Sequence, residues 1–208
     1  MRTPRAPQPK PRASASDNGA MRVIAGTYRS RRLVAPRGDS TRPTSDRLRE
    51  TLFNILSPRL PGARFADLYA GTGAVGIEAL SRGGAHVWFA EKAAPALAAL
   101  RANLSALGIT AGHTVETRGA AALLDSLARA ATPLDVVYLD PPWEADREYA
   151  ATLDFLGSAR ASAMLAPNAL LIAEHASRIS LPDRYGRLTR SRTLTQGDAA
   201  LSFYTAGQ

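Results

Sequence analysis

Short apolar runs alternate with stretches of helical periodicity from Arg64 to near the end of the chain. The apolar runs favour buried strands at Phe65–Tyr69, Ala85–Ala90, His113–Thr117, Leu134–Leu139 and Ala169–Glu174. The stretches between them predict helices at Ala74–Ser81, Pro95–Leu107, Ala120–Ala130 and Arg147–Met164. Strands that alternate with helices predict an α/β fold with a doubly wound, mostly parallel sheet.

Other patterns precede and follow this alternation. Two β-rich runs, Arg22–Ala25 and Arg32–Ala35, flank a Gly/Ser/Arg turn and predict a small hairpin. After a loop at Gly38–Ser45, a helix capped by Thr44 or Ser45 is predicted to end near Leu56, with its apolar stripe at Leu48, Leu52, Ile55 and Leu56. At the other end, two antiparallel strands are predicted at Arg187–Leu194 and Ala199–Thr205.

Three segments follow from these patterns. Residues 1–20 consist largely of Pro, Arg, Ala, Ser and Gly, so they are expected to form a disordered basic tail. Residues 21–43 form the basic hairpin and its loop. Residues 44–208 form the α/β domain.

Charge is distributed unevenly along the chain. The formal net charge is +8, yet the first 60 residues hold 13 Arg or Lys against 4 Asp or Glu, so the positive excess lies there. Such asymmetry suggests a polyanionic partner, commonly a nucleic acid. The alternative is a solubilising tail in an Arg-rich protein, since 24 of the 26 basic residues are Arg.

Composition also narrows the class of protein. The chain has no cysteine, and no apolar run approaches the ~18 residues of a membrane helix. The three histidines, His86, His113 and His175, lack the spacing of metal ligands. A cytoplasmic protein without a metal is therefore expected, and a monomer is a separate expectation that does not depend on these features.

The strand Leu134–Leu139 ends on Asp140-Pro141-Pro142-Trp143. Prolines cannot extend a central strand and supply no amide donor. The turn thus presents a carboxylate, a backbone carbonyl and an aromatic ring where open α/β sheets bind ligands. These groups suit a planar base with an exocyclic amine. The alternative is a structural turn with a capping aspartate and a packed indole.

A glycine-rich loop follows the first strand. Gly71, Gly73 and Gly76 match the G-x-G-x-x-G pattern, and Glu91 ends the second strand about twenty residues later, where it can bind ribose hydroxyls. The pattern fits a dinucleotide or S-adenosylmethionine. Asp67, inside the first strand, favours the latter, because a carboxylate suits an ammonium group better than a pyrophosphate. A helix cap or backbone bond is the alternative role for Asp67.

Together, the glycine loop, Glu91-Lys92 and the Asp-Pro-Pro-Trp turn resemble class I, Rossmann-like S-adenosylmethionine-dependent methyltransferases that act on exocyclic amines. More narrowly, the chain is similar over residues 21–205 to the bacterial 16S rRNA guanine-N2 methyltransferases of the small subunit methyltransferase D family. The stretches that carry this resemblance are Met21–Gly26, Thr41–Arg47 with Arg49–Asn54, Tyr69–Gly83 and Gly197–Tyr204.

The resemblance implies a seven-stranded, mostly parallel sheet with an antiparallel edge strand. It also implies that Tyr69, Thr72, Lys92, Gly119 and Ala120 lie at the cofactor. One position departs from the family, which usually carries Asp or Asn after the third strand to contact the adenine amine. Gly119 stands there, so adenine recognition would use backbone groups near Ala120 or a shifted side chain.

The expected activity is methyl transfer from S-adenosylmethionine to guanine N2 in 16S rRNA, either naked or in an assembling 30S subunit. The expected RNA contacts are Arg22, Arg29, Arg31, Arg32, Arg42 and Arg47. Alternatively, Arg47 or Arg49 could pair with Asp46 or Glu50 on an exposed helix face.

Other functions stay open from the sequence. Asp-Pro-Pro-Trp alone also fits a DNA adenine or cytosine methyltransferase, and a protein glutamine is another acceptor. The glycines alone fit a nicotinamide-dependent oxidoreductase, against which Asp67 argues. A non-enzymatic protein that binds ribosomal RNA is a further alternative.

Overall fold

The computed structural model describes residues 21–35, 46–143 and 145–207. The predicted tail at 1–20 and the predicted loop at Gly38–Ser45, with Arg42 and the two candidate helix caps, lie outside the described residues.

The described residues form five α-helices and one eight-stranded sheet. The helices are α1 (Asp46–Leu56), α2 (Ala74–Ser81), α3 (Ala94–Ala106), α4 (Ala120–Arg129) and α5 (Asp146–Gly157), with 3₁₀ turns at Ser57–Arg59 and Ala159–Met164. The strands are β1 (Arg64–Leu68), β2 (His86–Ala90), β3 (His113–Glu116), β4 (Leu134–Leu139), β5 (Leu165–Ala176), β6 (Arg184–Tyr185), β7 (Leu188–Gln196) and β8 (Ala199–Ala206). Their order in the sheet is β3-β2-β1-β4-β5-β8-β7-β6.

The mostly parallel, doubly wound sheet is confirmed. Strands β1 to β5 pair in parallel, and β4 has the bounds predicted from its apolar run. The sheet has eight strands rather than seven because the two-residue β6 extends its antiparallel edge, which β8 and β7 form. Residues at the middle of β4 are buried from both sides, as expected for a central parallel strand.

Helices cover both faces of the sheet. Apolar residues of α1, α2 and α3 form one core with the hairpin, through Val23 and Leu33. Residues of α4 and α5 form a second core on the opposite face, around Leu124 and Leu153. The ends of the strands therefore open between two helix layers, which is where this class of fold binds ligands.

The last predicted helix is shorter than the sequence indicates. A helix is expected over Arg147–Met164, but α5 ends at Gly157 and a 3₁₀ turn replaces the remainder. A Cβ atom at Gly157 would lie 1.9 Å from the carbonyl oxygen of Tyr185, and the Arg187 N–H donates to the Gly157 carbonyl at 2.9 Å. A segment distant in sequence thus passes across the helix end, which local periodicity cannot report.

The N-terminal hairpin is present, but its strands are not regular. The two runs pair at a single antiparallel bridge between Arg22 and Arg32. The N–H groups of Ile24 and Ala25 donate instead to the Glu78 carboxylate of α2, at 2.7 and 3.0 Å. The hairpin also has backbone hydrogen bonds of its own, from the Val23 N–H to the Arg31 carbonyl and from the Leu33 N–H to the Met21 carbonyl, so Glu78 adds an attachment to the domain.

Candidate active site

The two predicted motifs, the glycine loop and the Asp-Pro-Pro-Trp turn, follow the ends of two neighbouring strands. Strands β1 and β4 pair through Leu68 and Leu139, and the Asp140 N–H points to the Leu68 carbonyl at 3.4 Å. The chain winds outward from this pair in opposite directions, to β2 and β3 on one side and to β5 on the other. The glycine loop and the Asp-Pro-Pro-Trp turn therefore begin side by side at the topological switch point, where open α/β sheets bind ligands.

The glycine loop combines an open side with a tightly packed one. A Cβ atom at Gly71 would meet no heavy atom within 4 Å, whereas one at Gly76 would lie 2.2 Å from the Phe89 ring. Gly76 thus permits α2 to pack against β2, and Gly71 borders free space. The loop also contains Tyr69 with a φ of 70° and the buried Thr72, whose hydroxyl donates to the Met21 sulfur at 3.3 Å.

Glu91 lies against the first glycine of this loop. One carboxylate oxygen accepts the Gly71 N–H at 2.9 Å, and the other accepts the Ala93 N–H at 2.7 Å. Carboxylate oxygens have further lone pairs, so these bonds leave capacity to accept ligand hydroxyls. The structure therefore brings the predicted ribose-binding carboxylate next to Gly71.

Asp67 is buried beneath the loop and accepts the Gly76 N–H at 2.8 Å. This is the backbone bond that the sequence left as its alternative role. Burial raises the pKa of Asp67 from 3.8 to about 7, with a smaller rise from Glu91 and a reduction from the Gly76 bond. A contact between Asp67 and a ligand ammonium stays a prediction.

Tyr69 links the glycine loop to α5. Its hydroxyl donates to Glu148 at 2.8 Å and lies 2.8 Å from the Thr152 hydroxyl. Burial raises the pKa of Tyr69, so the phenol stays protonated and available as a donor. Lys92, from the end of β2, reaches the other Glu148 oxygen at 3.4 Å.

The backbone conformation at position 119 is one that favours the glycine found there over the Asp or Asn of the family pattern. Its φ of 94° and ψ of −177° lie in a region that is essentially restricted to glycine. Asp or Asn at this position would therefore be strained. The carbon atoms of the Lys92 side chain lie 3.5 to 3.9 Å from the place of a Cβ, and α4 begins at the next residue, Ala120.

The Asp-Pro-Pro-Trp turn is graded in exposure. Pro141 is buried, Pro142 is exposed, and Asp140 and Trp143 are half-buried. The indole is therefore not enclosed in the core. The Pro141 carbonyl accepts a hydrogen bond at 3.2 Å from Tyr149, whose hydroxyl also donates to the Glu174 carbonyl at 2.9 Å. Tyr149 could not be identified from the sequence, because this contact depends on the packing of α5.

The hairpin docks beside the glycine loop through α2 and α3. Glu78 accepts two of its N–H groups, and the Ser81 hydroxyl donates to the Ala25 carbonyl at 2.5 Å. Asn103 donates both to the Val34 carbonyl at 3.1 Å and to the Thr72 carbonyl at 3.0 Å. These buried residues attach the hairpin to the glycine loop, and they were not predicted from the sequence.

The predicted RNA contacts lie mainly on the surface. Exposed side chains are those of Arg22, Arg29, Arg31, Arg32 and Arg47, while Arg42 lies outside the described residues. Arg31 also donates to the Ala106 carbonyl at the end of α3, at 2.8 Å. Arg22 and Arg29 line a depression that Asp46 and Glu50 share, so the surface there has mixed charge.

Arg49 pairs with Asp46, as the alternative role predicted, but its side chain is buried and does not lie on an exposed helix face. Its side chain is fully buried and donates to Asp46 at 2.8 Å and to the Arg22 carbonyl at 2.5 Å. Burial lowers the pKa of Arg49, although Asp46 offsets part of this effect. Arg49 therefore joins α1 to the hairpin. Position 49 lies on the same side of the helix as Leu52, Phe53 and Leu56, a signal that was available in the sequence.

His175, one of the three scattered histidines, is also structural. It is buried and bonds to the Ser202 hydroxyl at 2.9 Å. Burial lowers the pKa of His175, so its ring is held neutral.

Among the helices that the structure describes, none is long and apolar enough to span a membrane.

Comparison with known proteins places this fold and site in a family. The model of the family described as conserved hypothetical protein 95 matches residues 21–205. YlbH of Bacillus subtilis, named as a candidate rRNA methyltransferase, is 35% identical over 184 residues, which cover 88% of this chain and 98% of YlbH. Ribosomal RNA small subunit methyltransferase D of Escherichia coli is 38% identical over 128 residues, which cover 62% of this chain and 63% of that enzyme.

A solved structure agrees with these matches. The Escherichia coli protein yhhF, named as a candidate methyltransferase, superposes with a TM-score of 0.75 at 32% identity, covering 90% of this chain and 98% of yhhF. Because the family model spans nearly all of the described residues, the chain belongs to the family described as conserved hypothetical protein 95, the family of the small subunit methyltransferase D proteins.

Proposed function

We propose that the protein transfers a methyl group from S-adenosylmethionine to the N2 amine of a guanine in 16S ribosomal RNA. The observation that carries this proposal is the adjacency of the glycine loop and the Asp-Pro-Pro-Trp turn at the ends of β1 and β4. A donor site and an acceptor site that start on neighbouring strands can bring a methyl group and an amine together. The relatives named as rRNA methyltransferases support ribosomal RNA as the substrate.

The residues of the first crevice fit S-adenosylmethionine. Free space beside Gly71 and the Glu91 carboxylate next to it suit a nucleoside with two ribose hydroxyls. Asp67 suits an ammonium group, because a cation would stabilise the charge that burial disfavours. When bound, S-adenosylmethionine supplies an electrophilic methyl group on a positively charged sulfur.

The Asp-Pro-Pro-Trp turn, which we call the acceptor turn, supplies two oxygens for the target amine. The N2 amine of guanine is a poor nucleophile, because its lone pair is delocalised into the ring. Hydrogen bonds from its two N–H groups to the Asp140 carboxylate and the Pro141 carbonyl favour a pyramidal nitrogen with an available lone pair. This preference strengthens as the new bond forms, so it lowers the barrier rather than only tightening binding.

Trp143 and the basic surface address the RNA. The half-buried indole provides a face for stacking on a base, which is worth ~1–3 kcal/mol in nucleic-acid complexes. The base must leave its stack to reach the turn, so a loop or an assembling particle is the expected substrate. The exposed hairpin arginines would contact phosphates, as the excess of positive charge in this part of the chain suggests.

Methyl incorporation from labelled S-adenosylmethionine tests the activity. Wild-type protein should label small-subunit RNA or particles from a strain that lacks the enzyme, and nucleoside analysis should give N2-methylguanosine. Label in N6-methyladenosine, in DNA or in protein glutamine would contradict the proposed acceptor. Calorimetry should show binding of S-adenosylmethionine and none of NAD, which separates the transferase from an oxidoreductase.

The Asp140→Ala variant tests the mechanism. It should abolish methyl transfer and leave S-adenosylmethionine binding nearly unchanged, because Asp140 belongs to the acceptor turn. Asp154→Ala is the matched control, since Asp154 is an exposed acidic residue on the nearby α5. Full turnover by the Asp140 variant would remove the turn from the mechanism.

A further inference from the structure

The buried Tyr149 hydroxyl forms a hydrogen bond with the backbone of the acceptor turn. Tyr149 is 1% exposed, and its hydroxyl lies 3.2 Å from the Pro141 carbonyl oxygen and 2.9 Å from the Glu174 carbonyl oxygen. Both distances exceed the usual ~2.7–2.8 Å of a hydroxyl donor, as expected when one proton is shared between two acceptors. The phenol thus ties the turn after β4 to the end of β5.

The helix that carries Tyr149 is itself attached to the cofactor loop. The preceding residue, Glu148, accepts the Tyr69 hydroxyl at 2.8 Å and Lys92 at 3.4 Å. Consecutive residues of α5 therefore contact the donor side and the acceptor side of the site. The first turn of α5 is therefore attached both to the glycine loop, through Glu148, and to the Asp-Pro-Pro-Trp turn, through Tyr149.

We propose that Tyr149 is a positioning residue for methyl transfer, which sets the direction of the Pro141 carbonyl toward the target amine. This inference rests on the proposed function, because it gives the carbonyl a role in holding that amine. A carbonyl oxygen has two lone pairs, so the bond from Tyr149 leaves one for an amine hydrogen. Pro142 contributes no N–H, so the turn lacks a backbone donor at this position to hold its shape.

The chain offers a matched control for removal of one phenol hydroxyl. Tyr204 is also fully buried, and its hydroxyl donates to the carbonyl of another proline, Pro182, at 2.8 Å. This bond lies by β6, the edge strand farthest from β1 in the sheet. Tyr204→Phe therefore removes the same chemical group from a comparable environment without touching the acceptor turn.

Steady-state kinetics on the full-length chain separate positioning from stability. Tyr149→Phe should lower kcat about ten-fold at saturating RNA, because a small error in alignment is costly in an oriented reaction. Its affinity for S-adenosylmethionine should be unchanged, and Tyr204→Phe should keep the wild-type kcat. A structural role alone would lower the melting temperature of both variants and leave kcat per folded molecule equal, which would overturn the proposal.

A spectroscopic signal reports on the carbonyl without turnover. Pro141-Pro142 is the only Pro-Pro pair in the sequence, so protein labelled with ¹³C-carbonyl, ¹⁵N-proline gives one carbonyl–nitrogen cross-peak in a carbon-detected spectrum. Tyr149→Phe should shift this peak, and Tyr204→Phe should not. An unmoved peak in Tyr149→Phe would show that the phenol does not hold the carbonyl, and would overturn the proposal.

The two experiments also separate this proposal from the proposed function. If wild-type protein labels no RNA but the peak moves, the proposed function fails, and with it the role of Tyr149 in positioning the carbonyl for methyl transfer. If wild-type protein methylates guanine N2 and Tyr149→Phe keeps the kcat of Tyr204→Phe, only the positioning role fails.

Discussion

The buried carboxyl group of Asp67 should make stability depend on pH. Asp67 is 1% exposed, and its described hydrogen bond comes from a single backbone N–H, that of Gly76. Replacing it with Asn keeps an oxygen that can accept this bond and removes the charge. The variant therefore isolates the effect of ionisation at one buried position.

The sign and size follow from the raised pKa. The pKa of Asp67 is about 7 in the folded state, whereas in the unfolded chain it is near 3.8. The stabilisation is complete below the unfolded value and is lost as the pH rises through the folded value. This rise in pKa corresponds to ~4 kcal/mol, so the free energy of unfolding should fall by about that amount between pH 4 and pH 8 through this group.

Urea denaturation of both proteins at pH 5, 6, 7 and 8 measures this difference at constant ionic strength. Other titrating groups cancel when the two proteins are compared, so the difference in their free energies of unfolding reports on Asp67. Asp67→Asn should become more stable than the wild type as the pH rises, and this difference should level off above the pKa of Asp67. S-adenosylmethionine at saturation should reduce the pH dependence of the wild type if its ammonium contacts the carboxylate. A difference that is equal at pH 5 and pH 8 would refute a buried carboxyl with a raised pKa.

Three other experiments test separate parts of the molecule by substitution. Glu78→Gln should lower the free energy of unfolding by ~1–3 kcal/mol and loosen the hairpin, because one buried acceptor of backbone N–H groups is lost. Trypsin should then cleave faster after Arg29, and unchanged digestion would contradict this. Gly119→Ala should cost ~1–3 kcal/mol in urea denaturation. Gly62→Ala, at an open position with a φ of 75°, should cost less, and equal losses would argue against special strain at Gly119. Arg22→Gln with Arg29→Gln should reduce the slope of log affinity for RNA against log salt by about one per phosphate contact, and an unchanged slope would exclude those contacts.

The sequence was sufficient to predict the sheet apart from its short edge strand β6, and to predict the positions of the two motifs. Apolar runs such as Leu134–Leu139 predict buried parallel strands because a central strand meets helices on both faces. The placement of Asp140 beside Leu68 then follows from the general winding of such sheets. These features depend on local patterns and on rules that hold for the whole fold class.

The missed features depend on contacts between distant segments. The end of α5 at Gly157 follows from the passage of Tyr185 across it. The burial of Arg49 follows from the docking of the hairpin, whose Arg22 carbonyl accepts its hydrogen bond. The helical spacing of Arg49 from Leu52 and Leu56 indicated a position that faces the core, but the carbonyl that accepts its hydrogen bond lies on another element and could not be identified from the sequence.

The hairpin and the glycine loop should act together, because buried side chains join them. Helix α2 begins at the glycine loop and carries Glu78 and Ser81, which hold the hairpin. Asn103 adds a second connection, because its amide donates both to Val34 of the hairpin segment and to Thr72 of the loop. A displacement of the hairpin by RNA would therefore act on the backbone of Thr72 through one side chain. The hairpin and the glycine loop are thus joined by hydrogen bonds of buried side chains, which are costly to break without replacement.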